Sequence, residues 1–463
     1  MYQAKGRWYD ALLCRWYEGN LQAIGGWALL KTASGIGASV RKLYTWGATA
    51  TPLQRIALAT HNKIFTITAG SLNDVTPSGY TAGAEDATTT AFSPVEANTV
   101  QFDSMPDGDL IACAWRDGKI YEQQIADSTA AMTVVTNAPT SCDSAFVTIE
   151  GFLTALGAGG DPRKIAWADV DDRTDWSAGV SDQAGDYPVP MQGTLQRGMR
   201  GKGENLIWTS TELWSMRYIG APIVYSFSKK GDNCGPASRN SMVVIDGKAV
   251  WMGNNNFFSY DGFVKPIPSE VGEYVFNDID RQQISKVNAD VRSDFHEVWW
   301  YYPSLSGSGE CDRAVIWDYV YNTWNVTNYR RTAGCDRGVY PYPLAADETG
   351  AIYEHEKATT YVDEDSTAYV PYATTGPIEI AEGDSVMVIQ HVIPDEATVG
   401  QMNLTIYGSF YPGESETTYG PYTLQALTDV RITARQIRLK FTQTTAGWRS
   451  GLHRLSGVLG GGR

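Results

Sequence analysis

A weak internal repeat constrains the fold of this chain more than any other feature. Each copy has a short strand, a turn rich in Gly, Asn or Asp, and a second strand that opens on an apolar anchor residue. The anchors are Ile64, Ile120, Ile165, Leu213, Phe257, Val315 and Ile352. Successive anchors lie 37 to 58 residues apart, with a mean spacing of 48. Because a four-stranded propeller blade has about this length, the repeat predicts an all-β fold, a β-propeller with six or seven blades.

The aromatic segment HEVWWYYP, residues 296–303, predicts a strand that is buried on both faces. Successive side chains of a strand point to opposite faces, so Trp299 and Trp300 need separate apolar partners. Hairpins stacked blade on blade provide partners on both sides. A large irregular β-sandwich with coincidental hairpins is the alternative interpretation.

Composition and the lengths of the predicted strands indicate two domains in the 463 residues. Aromatic residues make up 12% and charged residues 19% of the chain, with 46 Gly and 20 Pro, which is typical of a turn-rich β protein. We expect a propeller over 1–365, whose last blade takes a strand from near the N-terminus, with a short helical insertion near 269–287. Longer strands after residue 366 predict a C-terminal antiparallel β-sandwich over 366–463.

No residue pattern in the sequence indicates catalysis or metal binding. The five histidines stand apart, and the six cysteines include no C-x-x-C pair. The acidic segment DVDDRTDW, residues 169–176, lacks the Gly and distal Glu of an EF-hand and predicts a solvated turn. We therefore expect no catalytic residues, no metal, no cofactor and no enzymatic activity. Without a signal peptide or an apolar run of about 18 residues, we expect synthesis in a cytoplasm and no membrane span.

Charge is distributed unevenly along the chain, whose net charge is −15. The two ends are basic and the middle is acidic, which predicts only weak, non-specific contact with DNA. Residues 431–454 contain no acid but hold six candidate subunit-interface cations: Arg431, Arg435, Arg438, Lys440, Arg449 and Arg454. Since Arg438 and Lys440 alternate with apolar residues, we expect both to point outward, towards the acidic middle of a neighbouring copy. The alternative is that these cations pair with acids of their own chain.

Several segments together resemble one protein family. In chain order they are RWYEGNLQAIGGW, TELWSM, NCGPASRNSMVVIDGKAVWMGNNNFFSYDG, FHEVWWYYP, AVIWDY, TGPIEIAEGDSVMVIQHVIPD, RQIRLKF and GWRSGLHRL. The series resembles the tail hub or nozzle proteins of tailed bacteriophages, particularly short-tailed ones. The likeness spans nearly the whole chain in order, and the chain length suits the compact members of that family.

The resemblance implies a structural protein of the virion tail. Such a protein forms a homo-oligomeric ring of six below the portal and its adaptor, the head-to-tail connector. It retains packaged double-stranded DNA, which passes non-specifically at ejection, and it provides attachment for tail fibres, spikes or a needle. Two rival classes are a glycan-binding receptor propeller at the tail tip and a propeller hydrolase. A sugar-binding protein would expose aromatic side chains in a pocket.

Overall fold

The computed structural model describes residues 7–48, 51–88, 95–179, 182–379, 385–395 and 398–462. The chain divides into two compact units. One unit, called here the propeller unit, comprises Leu30–Trp324 and Tyr329–Tyr353. The other, called the terminal unit, comprises Met1–Leu29, Asn325–Asn328 and Glu354–Arg463.

Seven four-stranded antiparallel sheets, the blades, are present among the described residues. Their strands, in sheet order, are these: blade 1, Lys42–Ala48, Thr51–Ala59, Ile64–Thr68 and Ser71–Asp74; blade 2, Val100–Ser104, Leu110–Ala114, Ile120–Gln123 and Thr133–Val134; blade 3, Ser144–Val147, Leu153–Leu156, Lys164–Trp167 and Gly185–Pro188; blade 4, Leu195–Arg200, Asn205–Thr209, Leu213–Gly220 and Val224–Gly231; blade 5, Met242–Ile245, Lys248–Met252, Phe257–Tyr260 and Val264–Ile267; blade 6, Asn288–Arg292, Glu297–Pro303, Cys311–Asp318 and Thr323–Asn328; blade 7, Ala333–Cys335, Leu344–Ala346, Ile352–Ala358 and Gly26–Lys31.

The blades form a closed seven-bladed β-propeller. The first strands of the seven blades line one central cavity, and the first strand of blade 7 contacts that of blade 1. Gly26–Lys31 is the outer strand of blade 7. This confirms the prediction that the last blade takes a strand from near the N-terminus. This arrangement closes the ring of blades with a strand that is distant in sequence from the other three strands of blade 7. The predicted propeller is thus confirmed. The sequence left six or seven blades open, and the structure has seven.

The sequence repeat corresponds to one strand of every blade. Each of the seven anchors lies on the third strand of a different blade, and all seven are at most 1% exposed. Hydrophobic clusters fill the spaces between neighbouring blades, for example between blades 1 and 2 and between blades 3 and 4. In blade 6 every residue of Glu297–Pro303 is buried, as the double-faced aromatic segment predicts.

Tight turns between strands explain part of the glycine content. Gly118 precedes the third strand of blade 2 and has a φ of +71°. A Cβ atom there would lie 2.7 Å from the Cα of Ser141, so both its conformation and its surroundings require glycine.

The predicted helical insertion between blades is present. The helix Gly272–Asp278 and the 3₁₀ turn Ile284–Lys286 lie between the last strand of blade 5 and the first strand of blade 6. Three further 3₁₀ turns span Ile125–Asp127, Ala158–Gly160 and Ser293–Phe295. The acidic segment 169–176 forms turns, in which the Asp172 carboxylate accepts the Thr174 N–H at 2.9 Å.

The terminal unit is also made of strands. They are Trp8–Leu12, Cys14–Tyr17, Asn20–Ala23, Tyr372–Thr375, Ile378–Glu379, Ser385–Ile393, Asn403–Ser409, Thr417–Thr423, Thr428–Ala434, Gln436–Thr442, Arg449–Ser450 and Arg454–Gly462. These strands form one six-stranded and two three-stranded sheets, which share one hydrophobic cluster that includes Ile389, Leu404 and Phe441. The predicted sandwich over 366–463 stays a prediction for this unit.

The first strands of the chain belong to a different unit from the one predicted by the propeller boundary of 1–365. The strand Trp8–Leu12 pairs with Tyr372–Thr375, and Asn20–Ala23 pairs with Arg449–Ser450. These long-range pairings satisfy the backbone of the first strands, Trp8–Leu12 and Asn20–Ala23, inside the terminal unit.

Candidate functional site

The central cavity of the propeller unit is the first candidate site. It has a volume of about 330 Å³ and is lined by residues from the first strands of all seven blades. Ligand sites in proteins are commonly concave pockets of about 300 Å³ or more.

A polar network holds two residues of the cavity lining, Gln101 and Arg197. Asn240, just before the first strand of blade 5, accepts a hydrogen bond from Arg197 Nη1 at 2.8 Å through its Oδ1. Gln101 Nε2 donates to the same oxygen at 3.2 Å, and Asn240 Nδ2 donates to the carbonyl oxygen of Arg41 at 3.4 Å. Asn288 Nδ2 donates to that carbonyl as well, at 3.1 Å. The network joins blades 2, 4, 5 and 6 to the chain entering blade 1.

Two buried cations face the cavity without a carboxylate partner. Lys42 is 9% exposed and Arg197 is 8% exposed. Within the described residues, the Lys42 amine has neither a hydrogen bond nor an ion pair, and Arg197 donates only to neutral oxygens of Arg239 and Asn240. Burial, and then the nearby Arg197 charge, lowers the pKa of Lys42 to about 7. Burial also lowers the pKa of Arg197 to about 10.

Two acids of the cavity wall are already paired with arginines. Asp103 lies 2.5 Å from Arg200 Nη2 and accepts the Val147 N–H at 2.9 Å. Burial raises the pKa of this carboxyl. Asp290 lies 3.3 Å from Arg292 Nη2, and burial raises its pKa to about 6.

A third acid on the wall, Asp336, is half-buried. It accepts the backbone N–H groups of Ser293 and Arg337, at 3.3 Å and 2.8 Å. The wall therefore combines two acids paired with arginines, a third acid bound only by backbone N–H groups, and two cations without a carboxylate partner.

The second candidate site is the predicted basic surface. One of its central residues, Arg438, does not point outward as the sequence predicts. Arg438 is only 9% exposed, so the predicted outward direction is wrong for this residue. Its guanidinium forms a two-point ion pair with Glu416, with Nε 2.7 Å from Oε1. The rings of Tyr9 and Tyr407 lie against it, with centroids 5.0 Å and 5.3 Å away. The charge of Arg438 is thus compensated within its own chain.

The other five interface candidates fall into two groups. Lys440 and Arg435 are half-buried and lie over tyrosine rings, Lys440 Nζ at 4.1 Å from the Tyr372 centroid and Arg435 at 5.7 Å from that of Tyr411. The exposed group consists of Arg431, Arg449 and Arg454. These three have no ion-pair partner among the residues that the structure describes, so they are the cations still able to meet another molecule.

Three further observations bear on function. Of the fifteen tryptophans, all of which are described, only Trp8 is exposed, at 36%. No group of three or more His, Cys, Asp or Glu side chains that could hold a metal ion occurs among the described residues. In the same residues no helix has the length and hydrophobicity needed to cross a membrane.

Comparison with known proteins gives structural neighbours only. No protein-family model matches this chain, and no curated protein matches it by sequence. Similar solved structures include BamB from Moraxella catarrhalis, with 13% identity, a TM-score of 0.36, and coverage of 72% of this chain and 91% of that chain. The extracellular domain of a putative one component system from B. thetaiotaomicron shows 10% identity, a TM-score of 0.48, and coverage of 98% and 63%. The Myceliophteria_thermophila Cps50 (Swd1) beta-propeller domain shows 7% identity, a TM-score of 0.40, and coverage of 67% and 95%.

Proposed function

We propose that this chain is a structural subunit of the tail of a short-tailed bacteriophage, of the hub or nozzle type. The observation that supports the proposal is the position of the segments that resemble that family. RWYEGNLQAIGGW runs into the strand Gly26–Lys31 that closes blade 7, and FHEVWWYYP contains the buried second strand of blade 6. RQIRLKF lies in Gln436–Thr442, an interior strand of the six-stranded sheet. These three segments therefore fall on strands of the scaffold.

In this proposal, six copies form a ring below the portal and its adaptor, and DNA passes along the axis of the ring. The cavity of a single propeller, at about 330 Å³, is far too small for a duplex. The net charge of −15 per chain disfavours adhesion of DNA, because cationic contacts with phosphates create non-specific affinity. Fibres, spikes or a needle would attach to the outside of the ring.

The exposed cations of the terminal unit are the proposed contact with a neighbouring copy. Arg431 and Arg449 are exposed and without an ion-pair partner among the described residues, whereas the middle of the chain is acidic. In a ring each subunit meets the next head to tail, so a basic surface at one end can meet an acidic surface at the other.

Incorporation into virions tests this contact. The variant Arg431→Glu/Arg449→Glu should keep the melting temperature of the isolated chain and be lost from purified virions, measured by immunoblot after complementation of a phage that lacks the gene. The matched control is Arg116→Glu/Lys202→Glu, which reverses two exposed cations of the propeller unit and changes the net charge equally. Equal incorporation of both variants would refute the basic contact. Absence of the wild-type chain from virions would refute the tail proposal itself.

Tryptophan exposure does not favour the rival receptor-binding function. Glycan-binding pockets present aromatic faces to the sugar, whereas here fourteen of the fifteen tryptophans are buried or half-buried.

A further inference from the structure

We propose that the central cavity of the propeller unit binds a small oxyanion, of phosphate or carboxylate type, between Lys42 and Arg197. This proposal is independent of a role in a phage tail. It rests on the cavity, on the burial of the two cations, and on their lack of carboxylate partners.

The two buried cations lower the stability of the folded protein unless an anion compensates their charge. Burying a charge without a partner is strongly unfavourable, and buried charges in proteins are normally paired or hydrogen-bonded. Lys42 and Arg197 are each more than nine-tenths buried, yet among the described residues no carboxylate lies within ion-pair distance of either. An anion held between them would supply the missing charge.

Lys42 and Arg197 also have N–H donors that are not hydrogen-bonded within the described residues. An ammonium group offers three N–H donors and a guanidinium five. In the described residues the Lys42 amine has no acceptor, and only Nη1 of Arg197 is hydrogen-bonded. The remaining donors can bind several oxygens of one anion, and such charge-assisted hydrogen bonds are stronger than neutral ones.

The neighbouring carboxylates of Asp103 and Asp290 do not take the place of a ligand. Asp103 is bound to Arg200, and Asp290 to Arg292. Neither carboxylate lies within ion-pair distance of Lys42 or Arg197. A cavity of about 330 Å³ admits a small anion and leaves no room for a folded partner.

Calorimetric titration of the full-length chain tests the site. Inorganic phosphate and malonate are the two probes, each in chloride buffer of constant ionic strength, at a pH slightly below the Lys42 pKa of about 7. We expect saturable binding of at least one probe, and the stronger probe distinguishes a phosphate-type from a carboxylate-type ligand. Binding of neither probe would overturn the proposal.

Variants locate the binding within the cavity. Lys42→Met and Arg197→Met should each weaken the Kd about tenfold or more, as expected for loss of a charge-assisted hydrogen bond. Lys42→Arg should retain most of the affinity, and Lys202→Met, which removes an exposed lysine, should not change it. Equal affinity of Lys42→Met and Lys202→Met would refute the assignment. If a variant fails to fold, wild-type crystals soaked in selenate give the same test, through anomalous density between Lys42 and Arg197 or its absence.

Discussion

Replacement of Lys42 by methionine is predicted to stabilise the protein in chloride buffer. Methionine keeps an unbranched side chain of similar length and removes the buried charge. The pKa of Lys42 falls from the usual 10.5 to about 7 on folding, because burial and Arg197 disfavour the charged form. Each factor of ten in proton affinity is about 1.4 kcal/mol, so the charged lysine costs folding up to about 5 kcal/mol.

The sign of the pH dependence follows from this shift. Below pH 7 the amine is protonated in both states, and the folded protein bears the full cost. Between pH 7 and 10.5 the folded state loses its proton first, so the cost declines as the pH rises. The stability difference between Lys42→Met and the wild type should therefore be largest near the lower pH and narrow towards the higher one.

Urea unfolding followed by tryptophan fluorescence measures this difference. The unfolding midpoint of Lys42→Met should exceed that of the wild type below pH 7, and the two should converge as the pH rises. Lys202→Met is the matched control, since an exposed lysine changes stability by only about 0.5 kcal/mol or less. A Lys42→Met protein less stable than the wild type below pH 7, without added oxyanion, would refute the reasoning.

Three further variants test the scaffold. Glu310→Gln should lower the unfolding free energy by about 3 to 5 kcal/mol, because it leaves Arg41, 2.5 Å from Glu310, as a buried cation without its partner; an unchanged urea midpoint would contradict this. Trp27→Pro should lower the melting temperature of the protein, since it removes a buried indole and the N–H that donates to the Thr360 carbonyl oxygen at 3.1 Å from the strand that closes blade 7; an unchanged transition in scanning calorimetry would contradict this. Arg438→Glu should destabilise the terminal unit, because it sets a second carboxylate against Glu416; wild-type melting of that variant would show that the pair contributes nothing.

The repeat and the aromatic strand were predictable from sequence because both are local patterns. Each anchor follows a turn and opens a buried strand, and Trp299 and Trp300 need apolar neighbours on opposite faces wherever the strand lies. The helical insertion was predictable for the same reason, from the spacing of Val271, Val275 and Ile279.

The candidate cavity was not predictable because it depends on closure of the ring. Lys42 and Arg197 lie on blades 1 and 4, and nothing in either segment indicates that they share a cavity. The burial of Arg438 was missed for a similar reason. Strand alternation predicts which face a side chain points to, but not that Tyr9 from the N-terminal strand and Glu416 cover that face.

An electron cryomicroscopy reconstruction of the virion tail tests the central claim most directly. The account predicts a ring of six copies below the portal adaptor, each with seven blades around a central cavity, and with DNA on the ring axis. Virions that lack this chain, or that carry it outside the tail, would contradict the account.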